Sequence, residues 1–190
     1  TPASFSVTAG TVVLVTAQLA DANNNAVSTS GKTVGWSKTG TDGSFITPTS
    51  LTDANGQAVI SFTVSSDAAQ THVVTATDNT ALTGNSAAIL LSPAAPVAVA
   101  ATNALATSFD ANWNASTGAT SYRLDVATDL GFTSFVSGYS NKSVVGTTDA
   151  VTGLTGSTTY YYRVRAVNAN GTSANSNTIT TTTTAAEPTV

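Results

Sequence analysis

A chain of 190 residues has room for one large domain or for two of about 95 residues each. Only 8% of its residues are charged where roughly 25% is usual, and Thr, Ser, Ala and Asn stand in their place. Six Lys and Arg against ten Asp and Glu give a net charge of −4, which excludes the basic stripe that nucleic acid or an anionic membrane surface requires, and no apolar run approaches the roughly 20 residues of a membrane helix.

Cysteine is absent, so disulfides contribute nothing. With His72 as the single histidine, ordinary zinc sites, which draw several ligands from Cys and His, are excluded as well. Methionine is also absent. A chain that starts at Thr1 and shows no signal peptide reads as a processed or excised piece of something longer.

Thr and Val favour strands, because a branched Cβ suits a pleated, half-buried surface. No stretch keeps a helical period, and short alternating segments recur between clusters of Asn, Asp and Gly, which predicts an all-β chain. Residues 11–20 come first, with Val13, Val15, Ala17 and Leu19 on one face. Asp21-Ala-Asn-Asn-Asn25 then turns the chain. Further strands are predicted at 33–37 with Val34 and Trp36, at 58–64 with Ile60 and Phe62, and at 71–77 and 87–91. Before 58–64, the run Asp53-Ala-Asn-Gly56 turns on residues that tolerate left-handed backbone. Ser92-Pro-Ala-Ala-Pro96 breaks the pattern, because prolines cannot join a central strand and favour a stiff, extended linker. The second half predicts strands at 97–102, 107–113, 121–128, 132–138, 143–154, 159–168 and 174–183. The predicted fold is two tandem Ig-like antiparallel β-sandwiches joined by a short Pro-containing linker. Their bounds are 1–92 and 97–184, with the linker at 93–96 and a tail at 185–190.

Leu154-Thr-Gly-Ser-Thr-Thr-Tyr160 places a Leu six residues before a Tyr. After it Tyr160, Tyr162, Val164 and Ala166 alternate to one face, and Tyr161, Arg163 and Arg165 to the other. Together with Trp113 and with Tyr122, Leu124 and Val126, these residues make 95–184 resemble a fibronectin type III domain. The resemblance implies a tyrosine corner at Leu154 and Tyr160, a core tryptophan at Trp113 and an inward Tyr122. The turn at 168–173 carries no Arg-Gly-Asp, so the integrin binding of some animal modules does not carry over. Residues 118–122 and 159–168 resemble modules of long bacterial extracellular proteins. In the first half, Val34-Gly-Trp36, Thr52-Asp-Ala-Asn-Gly-Gln-Ala58 and His72-Val-Val-Thr-Ala-Thr77 resemble the bacterial Ig-like group 1 domain of invasin and intimin adhesins, with Trp36 as a core residue.

Catalytic chemistry is hard to assemble from these residues. His72 lies in a predicted strand with neither an acid nor a nucleophile beside it, so a triad lacks its base and orienter. Asp21, Asn23 and Asn25 follow the alternation of a calcium loop, but the Gly and bidentate Glu of such a loop are missing, and turn capping is the favoured reading. Nothing places two carboxylates across one cleft. No cofactor is expected beyond that weak calcium candidate. Arg123, Asp125, Arg163 and Arg165 are predicted outward on neighbouring strands, where cross-strand pairing on a solvated face competes with a contact patch formed by Tyr161, Arg163, Arg165 and Arg123. Sequons at Asn114, Asn141 and Asn170 are expected to be chance.

The expected function is that of a non-catalytic spacer or stalk in a secreted or cell-surface bacterial protein. Its expected partners are neighbouring copies or domains of the same or a longer surface protein. The alternative is a subunit of an extracellular filament or surface layer, a homopolymer built by strand addition through 1–7, 179–184 or 185–190. A carbohydrate-binding module wants a row of exposed aromatics, and the inward placement expected of Trp36 and Trp113 disfavours it.

Overall fold

Thr- and Val-rich alternation becomes strand in most of the predicted segments. The computed structural model describes residues 4–187, and among them there are strands, turns and bends but no helix. The chain divides into two units between Leu91 and Ser92.

The first unit contains β1 (Phe5–Thr8), β2 (Val12–Gln18), β3 (Thr33–Lys38), β4 (Ser44–Phe45), β5 (Thr49–Leu51), β6 (Gln57–Thr63), β7 (Thr71–His72), β8 (Val74–Asp78), β9 (Thr83–Asn85) and β10 (Ile89–Ser92). They pair in the orders β2-β6-β4, β5-β3-β8-β9 and β1-β10-β7. Alternation sends Ala58, Ile60 and Phe62 of β6 inward against Val34 and Trp36 of β3 and Val74 of β8, and all are buried. Burying each larger apolar side chain stabilises the unit by about 1.5–3 kcal/mol. Trp36 keeps its indole N–H satisfied by donating it to Ser50 Oγ at 2.9 Å.

The second unit contains β11 (Ala98–Thr102), β12 (Ser108–Trp113), β13 (Ser121–Ala127), β14 (Lys142–Val144), β15 (Thr148–Thr152), β16 (Thr159–Asn168), β17 (Gly171–Thr172) and β18 (Ile179–Thr182). One sheet runs β11-β12-β15; the other runs β14-β13-β16-β17, with β18 also pairing β16. Every pair given a register is antiparallel. The inner faces meet through Phe109, Trp113, Tyr122, Leu124, Val151 and Val164, all buried. The all-β, sandwich-forming class read from the alternation is the class found.

Several predicted strands differ from those observed, each for a local reason. Residues 132–138 are a loop with one isolated bridge, Ala127 to Phe135. There the Asp129 carboxylate accepts the N–H groups of Thr133 and Ser134, and Phe132 takes a left-handed φ of 55°. Residues 143–154 are not one strand but parts of β14 and β15, which belong to opposite sheets; the exposed Val145 and Gly146, the latter at φ 103°, turn the chain between them. In 174–183 only Ile179–Thr182 is strand. Ahead of it Ser173 Oγ and Ser176 Oγ accept the N–H groups of Ala166 and Val164, which replaces carbonyl acceptors by hydroxyls and breaks the ladder. The short strands β1, β4, β5, β9 and β17 were not among the predicted segments.

Of the three segments expected to serve as strand donors, two are engaged within their own units. Phe5–Thr8 pairs with β10, and Ile179–Thr182 pairs with β16. Of the rest, residues 4 and 183–187 form no strand, and 1–3 and 188–190 lie outside the described residues.

Candidate functional site

On β13 and β16, Arg123 stands opposite Arg165, Asp125 opposite Arg163, and Ala127 opposite Tyr161. Every arginine of the chain therefore lies on one face of one sheet. Like charges directly opposite repel, so Arg123 and Arg165 need a counter-charge. Asp125 supplies it: its carboxylate accepts Arg163 Nε at 3.1 Å, Arg165 Nη2 at 3.2 and 3.3 Å, and the Asn141 backbone N–H at 2.7 Å. Arg165 also donates to Asn141 Oδ1 at 3.0 Å, and the Arg163 guanidinium lies 4.0 Å from the centre of the Phe132 ring. The expectation of a solvated Asp125 is thereby corrected. It points outward but is only 2% exposed, because two arginines and the 129–141 segment close over it. Arg163, Arg165 and Tyr161 are half-buried. Arg123 forms no ion pair among the described residues, and Arg165 Nε is buried without a hydrogen-bond partner. Of the patch read from the sequence, the two central arginines are thus spent on internal structure.

Behind this face, tyrosine hydroxyls tie the backbone together. Tyr160 accepts the Thr155 N–H at 2.9 Å, one residue past the buried Leu154, and so pins the crossover between β15 and β16. Tyr122 accepts the Ser116 N–H at 3.0 Å. Tyr139 accepts Thr152 N–H at 2.9 Å and donates to Ala150 O at 3.2 Å. Tyr162 donates to Val99 O and accepts Asn112 N–H, which straps β16 to both β11 and β12 across the core. Burial pushes the Tyr162 phenol above its ordinary range, against a smaller opposing effect of the Asn112 bond. Sequence alternation marks Tyr122, Tyr160 and Tyr162 as inward but not Tyr139; the backbone groups these rings reach were not legible.

Residues 94–182 match the family model of the fibronectin type III domain. They form a fibronectin type III domain. Such domains are commonly structural or binding modules. Among solved structures, the crystal structure of FN3tt is 25% identical over 50% of this chain and 98% of that one, with a TM-score of 0.40. A crystal structure of titin domains is 19% identical over 95% of this chain and 62% of that one, at a TM-score of 0.44. The sixth such domain of human fibronectin type III domain containing protein 3 is 24% identical over 52% of this chain and 89% of that one, at 0.40. No curated protein matches the chain.

Within the fibronectin type III domain Trp113 is 3% exposed, its ring tilted at 54° against Tyr122 at 5.6 Å between ring centres, with its indole N–H unpartnered. Trp36 of the first unit is 8% exposed, so neither tryptophan offers a flat ring to a sugar.

In the first unit His72 is fully buried. Its Nε2 accepts the Ser65 N–H at 3.1 Å, which puts the ring proton on Nδ1, and that nitrogen lies 2.9 Å from Thr39 O. The Phe62 ring packs edge-on against it at 5.1 Å. Asp21 Oδ1 accepts the N–H groups of Asn23 and Asn25 at 2.9 and 2.8 Å, and Oδ2 accepts the Asn25 side-chain amide at 3.0 Å. These bonds, the Asn25 side chain foremost, hold the Asp21 carboxyl below its ordinary range.

The same turn occurs at Asp53 and Asp78. In each, Oδ1 accepts the N–H groups two and four residues on, the backbone N–H of the Asp reaches the fourth carbonyl, and the third residue on returns its N–H to the Asp carbonyl. That third residue is left-handed in all three turns: Asn24 at φ 63°, Gly56 at 76° and Ala81 at 66°. The alternation that suggested calcium at Asp21, Asn23 and Asn25 is one instance of a repeated turn device. Among the described residues no group of three or more His, Cys, Asp or Glu converges.

Proposed function

We propose that the chain is a non-catalytic structural module, a spacer or stalk of a secreted or cell-surface bacterial protein, in which a bacterial Ig-like group 1 unit precedes the fibronectin type III domain. The observation that carries this reading is where the polar groups are spent. Asp125 holds Arg163, Arg165 and Asn141; His72 holds Ser65 and Thr39; Asp21, Asp53 and Asp78 close their own turns. Groups that could act as acid, base or ligand are instead brackets for strands and loops. The ends of the second unit are also anchored, with β11 laddered to β12 and β18 to β16, so tension along the chain must break ladders before the unit yields. Neighbouring copies or domains of the surface protein are the expected contacts, with no cofactor.

Single-molecule stretching of the full chain tests this. A spacer gives two discrete ruptures, each releasing about 30 nm of chain for a unit of some 90 residues at roughly 3.3–3.6 Å per residue. Smooth extension without discrete ruptures would overturn the spacer reading.

A further inference from the structure

Two of the first unit's three sheets, β2-β6-β4 and β5-β3-β8-β9, do not close along one side. Strand β2 is the edge of the sheet β2-β6-β4, and β9 is the edge of the sheet β5-β3-β8-β9. Between them runs a groove of two contiguous cavities, about 480 and 220 Å³, which share Ala17, Gln18, Ala76 and Gly84 in their walls. Its floor is core: Val34, Trp36 and Val74 line it. The inward side chains of β6, Ala58, Ile60 and Phe62, are at most 5% exposed. Those of its neighbour β2, Val13, Val15 and Ala17, face the same way yet stay only half-buried. One strand's width of cover is missing.

The edge itself is unprotected. Leu19 donates to Gly56 O and Thr11 accepts from Val64, so the odd-numbered residues of β2 bond to β6. The backbone groups of Val12, Leu14, Thr16 and Gln18 therefore point away, where no strand among the described residues pairs with them. Edge strands are normally kept from pairing by charge, proline, a bulge or shortness. At seven residues β2 is the longest edge among the described strands, and Val-Val-Leu-Val-Thr-Ala-Gln has no charge and no proline. Its register with β6 runs unbroken. By contrast, the edge β11 carries a register shift, β14 carries Lys142, and β4 has two residues.

We infer that this groove is an acceptor site for one further β-strand, an extended segment of a partner polypeptide that pairs antiparallel along β2 and sets an apolar side chain into the groove at every second residue. Apolar side chains are required because Val15, Ala17, Val34, Trp36, Val74 and Ala76 form the groove's walls and floor. The strand's first residue is cationic, since Asp21 and Asp78 line the mouth at the C-terminal end of β2. A second copy supplies no such strand from the described residues, because β1 and β18 are both paired already.

The probe is a synthetic peptide of alternating Thr and Val with an N-terminal Lys, added to the full chain and followed by amide hydrogen exchange and by Trp36 fluorescence. At peptide tenfold above its Kd, exchange at Leu14 and Thr16 slows about tenfold. Two variants remove this protection while leaving the thermal midpoint in place. Gly84→Leu fills the groove from a position where an added Cβ meets nothing within 4 Å. Thr16→Pro deletes an edge N–H that bonds to no strand of its own unit, where proline is tolerated. Unchanged exchange at saturating peptide overturns the assignment. So does protection already present without peptide that vanishes on dilution, which would mean that β2 pairs with a second copy.

Discussion

The three aspartate turns allow one backbone geometry to be tested with opposite signs. Ala81 holds φ 66° in the turn from Asp78 to Leu82, and Gly56 holds 76° at the equivalent place in the turn from Asp53 to Gln57. A left-handed L-residue brings its Cβ against the following carbonyl at a cost of about 1–2 kcal/mol. Replacing Ala81 by Gly removes that cost but adds about 0.5–1 kcal/mol of unfolded-state freedom. The net expectation for Ala81→Gly is stabilisation by about 0.5–1 kcal/mol, or about 2–8 °C in midpoint for a unit of this size. Gly56→Ala runs the other way. Its new Cβ would lie 1.9 Å from Val27 O, which belongs to the backbone and cannot swing aside. Strain and clash together should cost at least about 2 kcal/mol, lowering the midpoint by roughly 10 °C. Because Trp36 sits in the core of the first unit and Trp113 in that of the second, a Trp113→Phe background lets fluorescence follow the first unit alone through thermal or urea unfolding. Shifts of the same sign in both variants, or destabilisation by Ala81→Gly, would refute the shared-turn reasoning.

Other expectations follow from the brackets described above. His72→Ala strands the Ser65 N–H and Thr39 carbonyl and opens a cavity beside Phe62, which should destabilise the first unit by about 2–5 kcal/mol in urea titration. Asp125→Ala leaves Arg163 and Arg165 facing Arg123 without their counter-charge. Since both arginines remain about a quarter exposed at 25% and 28%, the expected loss is about 2–3 kcal/mol, less than for a fully buried pair, read from Trp113 fluorescence. Tyr162 has a folded-state pKa above its unfolded value, so its stabilising effect is complete below about pH 10 and declines as pH rises through the folded value. Alkaline melts should show this decline, and Tyr162→Phe should weaken it. The carboxyls of Asp21, Asp53 and Asp78 are shifted down, so their contribution is intact above pH 3.8 and is lost as pH falls through their folded values, giving an acid limb that Asp-to-Ala changes shorten.

How far the sequence reaches depends on whether a property is set within one strand or between strands. Ile60 and Phe62, or Tyr160 and Tyr162, announce their face by alternation, and burial follows. Residues 132–138 carry a strand-like pattern too, yet a single carboxylate at Asp129 satisfies the local N–H groups and forces Phe132 out of the extended region, so the pattern misleads. Asp125 shows the same limit at the candidate site. Alternation gives its direction, whereas its burial comes from Arg165 on the facing strand and from Asn141 on a distant loop. The turn at Asp21 was the opposite case, legible in the sequence as turn capping, which is what its carboxylate does. Set beside Asp53-Ala-Asn-Gly-Gln57 and Asp78-Asn-Thr-Ala-Leu82, the run Asp21-Ala-Asn-Asn-Asn25 has an Asp at the same offset from a residue that turns left-handed. The identity of that residue changes from Asn to Gly to Ala while the hydrogen bonds stay the same, so the aspartate, not the glycine, is what the turn requires.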